Sequence, residues 1–303
     1  MQKLRALVFG LICFTLVNTS SAYADSVYQH DRFVTKPTDI VRQFEAYVVS
    51  FDSTDDNDGD GKGDTWRIPE FVAYEIDRYD GPCIPTGARP KWFSDKELVA
   101  QAIAPTDNSY AYPSSWRKGH EDWFERGHLC MKLIAERIGN EAGYNTHSLL
   151  NAVPQREVFN GGVWLDLELL SAAYAQRYGK VWVVTGPIFY DKKPKEWIGE
   201  ESKGEAPVAV PDALFKIIVK EGKNAERPDV LSFIYDQKGT GYGKGPYNHG
   251  SRLVSVDRIE ALTGLDFLTS LPDGVEAKVE KEKANALWPA SKSDFIPACR
   301  TGR

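Results

Sequence analysis

Two short segments near the middle of the chain concentrate side chains that can move protons, hold cations and bind anions. The first is ERGH at 125–128, and the second places Asn160 before a Gly-Gly pair with Glu168 eight residues later. A histidine can take a proton from water near neutral pH. A carboxamide oxygen and a carboxylate suit a hard divalent cation that keeps most of its water. The two segments therefore indicate a site at which a cation and a histidine act together.

Each of these residues has a distinct chemical assignment. Asn160 would coordinate the ion directly, and Glu168 would hold the ion's water. His128 would act as the general base toward an attacking water. The planar guanidinium of Arg126 suits a phosphate oxygen, to which it gives directional hydrogen bonds.

The helical spacing of apolar residues over 163–178 places Asn160 and Glu168 near the first turns of one helix. Eight residues are just over two turns, so the two side chains can share a face. Taken alone, each residue also has an ordinary interpretation: His128 as a structural histidine and Asn160 as a helix N-cap.

The rest of the chain must supply a scaffold for this site, and its composition is that of a globular protein. Hydrophobic residues make up 42% and aromatic residues 12% of the 303 positions, which excludes a disordered or collagen-like chain. Short β-branched and apolar runs predict strands at 71–76, 180–185, 214–219 and 230–234, and an amphipathic pattern predicts a helix at 256–264. We expect a short helix within 25–48 and a long irregular connection over 81–120. No repeat or linker divides the chain, so one domain over 25–303 is predicted.

Several motifs in a fixed order give the chain a family resemblance. ERGH is followed by NAVPQ at 151–155, by Asn160 with Trp164, and by LE at 167–168. Further matches are VVTGPIF at 183–189, PDALFKIIV at 211–219 and VDRIEALTGLDF at 256–267. In these motifs the chain resembles the DNA/RNA non-specific endonuclease family over about residues 70–275. The resemblance implies an α+β fold with a mixed or antiparallel central sheet, flanking helices and a ββα-metal finger.

The resemblance also implies an activity and roles for single residues. It implies Mg²⁺-dependent hydrolysis of DNA and RNA without sequence preference, leaving 5′-phosphate ends, with Mn²⁺ as an acceptable substitute ion. It implies that His128 is the general base, that Asn160 is the direct Mg²⁺ ligand and that Glu168 orders a metal-bound water. It further implies that three residues shape the site and its phosphate contact: Arg126, Asn151 and Gln155.

The sequence departs from the family pattern at two positions. Glu125 stands where an Asp is usual, which keeps the charge and adds one methylene. Ala172 stands where many members have an Arg one turn after the Glu. Arg177 is a candidate to supply the missing charge, and Arg89 is a candidate for a further substrate contact.

An acidic, glycine-rich loop at 52–64 resembles the first half of an EF-hand loop. Asp56, Asp58 and Asp60 occupy alternate positions and Asp64 takes the ninth, but the twelfth position is Arg67 where a Glu would be needed. A structural Ca²⁺ site and a merely solvated loop are both open. A second functional hypothesis follows, namely a calcium-stabilised extracellular binding module with a degenerate nuclease site.

Zinc is a weaker alternative at the histidines. His128, Cys130 and His147 offer three ligands, but no fourth ligand is evident and the His-x-Cys spacing is not that of a zinc finger.

The first 24 residues have the pattern of a signal peptide. Lys3 and Arg5 precede an apolar run, and Ala-Tyr-Ala at 22–24 predicts cleavage before Asp25. We therefore expect export to the periplasm or beyond, with no membrane attachment after cleavage. The mature chain would carry 35 basic against 43 acidic residues, a net charge of −8, which argues against indiscriminate coating of nucleic acid. Basic residues nevertheless cluster in sequence around the motifs, at Lys118, Arg126, Lys132, Arg137 and Arg156.

Three cysteines remain after signal removal, and an oxidising compartment favours one disulfide and one free thiol. Three pairings are open. A loop-to-tail bridge between Cys83 and Cys299 is preferred, because both lie in loops containing Pro or Gly while Cys130 lies within a motif. The sequence does not determine the oligomeric state.

Overall fold

A seven-stranded antiparallel sheet runs through the centre of the protein. The computed structural model describes residues 28–34, 40–53, 65–110, 123–224 and 227–299. In spatial order the strands of the sheet are β1 (Ile40–Gln43), β2 (Val48–Phe51), β3 (Pro69–Asp77), β6 (Lys180–Ile188), β9 (Ala213–Asn224), β10 (Arg227–Asp236) and β11 (Leu253–Val254). Two smaller antiparallel pairs stand apart from it, β4 (Phe124–His128) with β5 (Ala152–Arg156) and β7 (Glu196–Ile198) with β8 (Val208–Val210).

The sheet separates two hydrophobic cores, because successive side chains of a strand point to opposite faces. In β6, Val181 and Val183 lie in the first core, and Trp182 and Val184 lie in the second. Both faces are covered, so the central strands are almost continuously apolar. This is why short hydrophobic runs identified them in the sequence.

Helices cover the two faces unequally. Their bounds are α1 (Lys96–Ala100), α2 (Lys132–Ala135), α3 (Asn140–Asn145), α4 (Glu157–Phe159), α5 (Leu165–Tyr178), α6 (Val256–Thr263) and α7 (Asp273–Lys281). A π-helical turn at Asn160–Trp164 joins α4 to α5. Short 3₁₀ turns lie at Asp107–Tyr110, Leu149–Asn151, Glu201–Lys203, His249–Arg252 and Lys292–Asp294. Side chains of α5 pack in the first core, and those of α6 and α7 pack in the second.

The expected α+β fold is confirmed, and so are its main elements. The four predicted strands lie inside β3, β6, β9 and β10. The predicted helix at 256–264 is α6, which begins after Ser255, whose hydroxyl accepts a hydrogen bond from the Arg258 amide, and ends at Gly264 with φ of +77°. A glycine suits this left-handed position, because it has no Cβ to clash there.

Two local expectations differ from the described structure. Of the span 25–48, in which a short helix was expected, residues 28–34 and 40–48 are described and form no helix; residues 40–43 are edge strand β1, whose side chains alternate between half-buried and exposed. The region 81–120, expected to be irregular, contains α1 and the turn Asp107–Tyr110. Helix α1 is capped by the Asp95 carboxylate, which accepts hydrogen bonds from the amides of Glu97 and Leu98.

A disulfide ties the end of the chain to the region after β3. Cys83 and Cys299 are bonded, with their Cα atoms 4.8 Å apart, and the Cys299 amide donates to the Ile84 carbonyl. This is the loop-to-tail pairing that the sequence favours. Cys130 is a buried free thiol.

Some predicted features lie outside the described residues, namely the signal peptide at 1–24 and the calcium-loop candidates Asp56, Asp58, Asp60 and Asp64. Among the described residues, no helix has the length and apolar character needed to cross a membrane.

The turn between α4 and α5 depends on a glycine. Gly162 has non-helical angles (φ −104°, ψ −110°), and a Cβ at this position would lie 2.1 Å from the carbonyl oxygen of Tyr242. The loop carrying Tyr242 therefore packs directly on the helix backbone. A Cβ at the neighbouring Gly161 would meet nothing within 4 Å.

Gly162→Ala should lower the free energy of unfolding by about 1–3 kcal/mol, because backbone must move to admit the methyl group. Gly161→Ala is the matched control, and its stability should be unchanged or raised by less than about 1 kcal/mol. Urea unfolding of both variants measures the difference. Equal stability of the two variants would contradict the close approach at Gly162.

Candidate active site

The motif segments form a ββα unit on the first-core side of the sheet. Strands β4 and β5 pair antiparallel, with Glu125 opposite Gln155 and His128 opposite Ala152. The chain leaves β5 directly into α4, the π-helical turn and α5. One strand therefore presents Glu125 and His128, and the following helical segment presents Asn160.

A glycine lets the two strands hold a side chain between them. A Cβ on Gly127 would lie 2.1 Å from the Cδ atom of Gln155, so only glycine leaves room for that side chain. Gln155 has no exposed surface, and neither of its amide atoms has a hydrogen-bond partner within the described part of the chain. Buried polar atoms are usually paired, so a water or ion at this position would satisfy the Gln155 carboxamide.

The Asn160 side chain is oriented by Glu125. The Asn160 Nδ2 group donates a hydrogen bond of 2.8 Å to Oε2 of Glu125. Its amide oxygen, the atom that a hard cation would bind, forms no hydrogen bond with a described residue. Asn160 itself has helical angles (φ −61°, ψ −53°) and caps no helix amide, so the helix N-cap interpretation is wrong.

The other carboxylate of the site, Glu168, is buried beside a buried cation. Its side chain is 4% exposed, and Oε1 has no hydrogen-bond partner among the described residues. Burial raises the pKa of Glu168 to about 8, and the charge of Lys216 opposes this shift. An unpaired buried carboxylate oxygen at this position fits a water held beside a bound cation.

Lys216 projects from β9 into the first core and is fully buried. Its Nζ donates to the Tyr74 hydroxyl over 3.3 Å and lies 4.4 Å from the centre of the Trp164 ring. Burial lowers the pKa of Lys216 to about 8, although the charge of Glu168 works against the shift. The core thus carries an acid and a base that influence each other, with no ion-pair contact within 4.0 Å between them.

His128 lies in an aromatic and basic environment. Its ring centre is 4.5 Å from that of Trp92 and 4.8 Å from that of His147. Burial lowers the pKa of His128 well below its usual value, and the charges of His147, Arg89 and Lys132 lower it further. The imidazole is therefore neutral at pH 7, and its Nε2 has no hydrogen-bond partner in the described structure.

Two of the predicted site residues are held by protein groups. Arg126 forms a 2.6 Å ion pair with Asp107 and lies 5.5 Å from the Tyr110 ring centre. Asn151 is fully buried, donates to the carbonyls of Cys130 and Thr146 and accepts from the Cys130 amide. Asn151 therefore shapes the turn after His128 but has no exposed surface for a phosphate.

Of the two further arginines proposed from the sequence, Arg89 lies near the candidate site and Arg177 does not. The charge of Arg89 lowers the pKa of both His128 and His147, so Arg89 lies near the two histidines. Arg177 lies in the last turn of α5, about 13 Å along the helix from Glu168, and pairs with Asp294 at 3.2 Å. Arg177 is not brought to the site and does not replace the arginine missing at Ala172.

The expected basic cluster is only partly present. Lys132 contributes to the field at His128 but also bonds to Glu136. Arg137 donates to the carbonyls of Asp77 and Ala172, and Arg156 pairs with Glu196. Lys118 lies outside the described residues.

Sequence reasoning missed four residues around the site: Lys216, Trp92, Asp107 and, as a neighbour of the base, His147. Only Lys216 left a signal in the sequence, because it is the single charged residue inside the apolar run at 213–219. A three-ligand zinc site is not present at His128, Cys130 and His147, since the groups of three metal-binding side chains found among the described residues lie elsewhere.

A chain of two hydrogen bonds connects strand β10 to the first turn of helix α5. The Tyr235 hydroxyl contacts Nδ1 of His249 over 2.5 Å, and Nε2 of His249 contacts Asp166 in the first turn of α5 over 2.9 Å. Tyr235 and His249 are both buried. Strand β10 thereby holds the end of α5 that lies next to Asn160.

Comparison with known proteins gives a family match over most of the chain. The family model described as DNA/RNA non-specific endonuclease matches residues 31–274. Over 221 residues the chain is 28% identical to a nuclease of Serratia marcescens, which covers 72% of this chain and 75% of that protein.

Two mitochondrial proteins are also similar. The mitochondrial nuclease of Saccharomyces cerevisiae is 30% identical over 209 residues, 61% of each chain. The mitochondrial nuclease EXOG of Xenopus laevis is 25% identical over 202 residues, 62% of this chain and 55% of that protein. The chain therefore spans less than two thirds of the length of these two relatives.

A solved structure shows the same fold. A chain of the crystal structure of the EndoG/EndoGI complex superposes with a TM-score of 0.58 at 21% identity, covering 78% of this chain and 89% of that one.

Removing a positive charge near His128 should change its pKa measurably. Arg89→Ala should raise the pKa of both His128 and His147, because a nearby positive charge disfavours the imidazolium form. NMR titration of the ring protons measures both values, and Arg177→Ala is the matched control that should leave them unchanged. Equal shifts in the two variants, or none in Arg89→Ala, would contradict this placement of Arg89.

The free energy of unfolding should depend on pH through the titration of His128 and His147. Burial and the charges of Arg89 and Lys132 lower the pKa of His147 to about 4, and that of His128 is also lowered, so the folded chain binds fewer protons than an unfolded chain with pKa near 6.5. The contribution of these histidines is complete above pH 6.5 and is lost as the pH falls toward 4.

Proposed function

The chain belongs to the DNA/RNA non-specific endonuclease family, and we propose that it is an exported, Mg²⁺-dependent endonuclease that cleaves DNA and RNA with little sequence preference. The observation that carries the proposal is the hydrogen bond from Asn160 to Glu125. Because the nitrogen is the atom bonded to Glu125, the amide oxygen of Asn160 stays available for a cation, on the same ββα unit that presents a neutral His128. A metal ligand and a base are thereby delivered by adjacent elements.

The residues at this site fit a hydrated divalent cation. Asn160 would bind the ion through its amide oxygen, and the unpaired Oε1 of Glu168 would hold water beside it. A bound Mg²⁺ would supply Lewis-acid stabilisation of the charge that develops on the phosphate. Mg²⁺ dehydrates reluctantly, so a site with one direct protein ligand suits it.

His128 would act as the general base. Its low pKa keeps the imidazole unprotonated near neutral pH, so Nε2 can accept the proton of a water that attacks phosphorus. Trp92 and His147 each pack against the imidazole, and the three ring centres form a triangle with sides of 4.5, 4.8 and 4.9 Å, which limits rotation of the His128 ring. The acidic limb of the pH–rate profile is accordingly expected below pH 6.5.

Positive charge at the site would bind the phosphate backbone. Arg89 lies near enough to the histidines to lower their pKa values, and Arg126 keeps an Nε–H group without a partner in the described structure although Asp107 occupies its Nη2. Contacts to phosphate carry no base or sugar information, so they are compatible with both DNA and RNA. Attack by water would leave a 5′-phosphate and a 3′-hydroxyl end.

Export rests on the signal-peptide pattern at 1–24. A disulfide between Cys83 and Cys299 agrees with an oxidising compartment.

Replacement of the base should abolish cleavage and preserve the fold. His128→Ala should lower kcat on plasmid DNA with Mg²⁺ by about 10²–10⁴-fold, the usual contribution of a general base. Circular dichroism and thermal melting serve as the folding controls, and chelator abolishes the activity of the unmodified chain. Retention of more than about a tenth of kcat would exclude His128 as the base.

The two metal-site residues should differ in a Mg²⁺ titration. Asn160→Ala should raise the Mg²⁺ concentration for half-maximal activity and lower kcat, because it removes the only direct ligand. Glu168→Gln keeps the buried shape and should act more mildly, by about 10–100-fold. Calorimetric Mg²⁺ binding provides a reading independent of activity.

The reverse order of effects would change the assignment. A larger loss of Mg²⁺ affinity in Glu168→Gln, with none in Asn160→Ala, would make the carboxylate the direct ligand. Asn160→Asp adds a charge at the ion and should retain partial activity.

A further inference from the structure

Five carboxylates converge on the face of the sheet opposite the candidate active site. They belong to α6, to the loop after it and to α7, whose apolar residues Val256, Ile259 and Val279 pack in the second core. The members of this acidic cluster are Asp257, Glu260, Asp266, Glu276 and Glu280.

The acidic cluster is built around Glu280. One oxygen of its carboxylate group lies within 4.8 Å of oxygens of both Asp257 and Glu260, which are themselves within that distance of each other. Asp266 and Glu276 form a second such triad with Glu280. Glu280 is the one residue common to both triads.

Glu280 is buried, and one of its two carboxylate oxygens has no partner in the described part of the chain. The residue is 9% exposed, and its Oε1 has no hydrogen-bond donor among the described residues. None of Asp257, Glu260, Glu276 and Glu280 forms an ion pair with a described lysine, arginine or histidine. Burial raises the pKa of Glu280 to about 7, and the next causes are the negative charges of the four other carboxylates.

Burying an ionised carboxylate among other carboxylates is energetically unfavourable unless a cation neutralises their charge. A buried carboxylate without a donor loses its hydration, and like charges within a few ångströms repel each other. The surrounding exposed carboxylates and solvent leave room for further oxygen ligands. Carboxylates and waters are the ligand set of hard divalent cations, and Ca²⁺ accepts six to eight oxygens in flexible geometry.

We propose that the acidic cluster binds one Ca²⁺ ion, with Glu280 as the central ligand shared by the carboxylates of α6 and α7. The ion would link the two helices that cover the second core. Its binding would stabilise the native chain by mass action, because an unfolded chain does not hold the five groups together. The site is separate from the Mg²⁺ site proposed at Asn160 and does not depend on nuclease activity.

Ca²⁺ titration of the chelator-treated full chain tests the proposal by calorimetry and thermal unfolding at pH 7.5. The unmodified chain should melt about 5 °C higher at Ca²⁺ concentrations about 100-fold above the dissociation constant. Glu280→Gln should bind one Ca²⁺ fewer and lose this increment. In chelator it should melt at or above the temperature of the unmodified chain, because it removes charge repulsion.

Three controls separate this site from others. Glu282→Gln removes a nearby exposed carboxylate that pairs with Arg227, and it should retain the full Ca²⁺ increment. Asp58→Ala with Asp60→Ala, and Asn160→Ala, address the acidic loop and the candidate active site. Each should retain the part of the increment that depends on Glu280.

A second variant protects the test against misfolding of Glu280→Gln. Asp257→Asn with Asp266→Asn changes only exposed members and should weaken Ca²⁺ binding at this site at least tenfold. An unchanged Ca²⁺ increment in Glu280→Gln or in this double variant would overturn the proposal. So would a chain that is stabilised by acidification to pH 6 but not by Ca²⁺, since the carboxyl groups would then share a proton.

Discussion

The candidate site depends on one hydrogen bond, from the Asn160 amide nitrogen to Glu125. An asparagine side chain can present either its oxygen or its nitrogen, and the neighbouring carboxylate selects the nitrogen as its own partner. The bond also joins β4 to the helical segment that follows β5. Glu125 stands where the family pattern has Asp, and its side chain, longer by one methylene, reaches Asn160 at 2.8 Å.

Behind that hydrogen bond, the core contains two ionisable groups of a kind that proteins usually place at the surface. Glu168 and Lys216 are both buried, and neither has a close ion-pair partner among the described residues. Two aromatic residues stabilise the Lys216 ammonium group: Tyr74 accepts a hydrogen bond from it, and Trp164 makes a cation–π contact with it. Such a pair contributes little to the free energy of unfolding, because apolar residues of similar volume would pack more favourably. Its retention makes sense if the carboxylate must stay next to a cation site.

The sequence predicts the features that a local pattern of residues encodes, namely buried strands and short motifs. The central strands were predictable because both of their faces are buried, and β1 was not, because an edge strand with half-exposed side chains lacks an apolar run. Asn160 and His128 were identifiable from motifs. Trp92 and Lys216 act on Glu168 or His128 from distant parts of the chain, and no spacing in a single sequence encodes such contacts. Arg177 was misplaced for the converse reason, since helical proximity in sequence put it at the wrong end of α5.

The central sheet keeps two kinds of chemistry apart. Alternation along β9 sends Lys216 toward the candidate active site, while its neighbours Phe215 and Ile217 pack beneath α6 and α7 in the second core. A change on the acidic face must therefore pass through a closely packed sheet to reach His128 or Asn160. Cation binding at Glu280 would therefore act first on the packing of α6 and α7 in the second core, and through that packing on the stability of the chain.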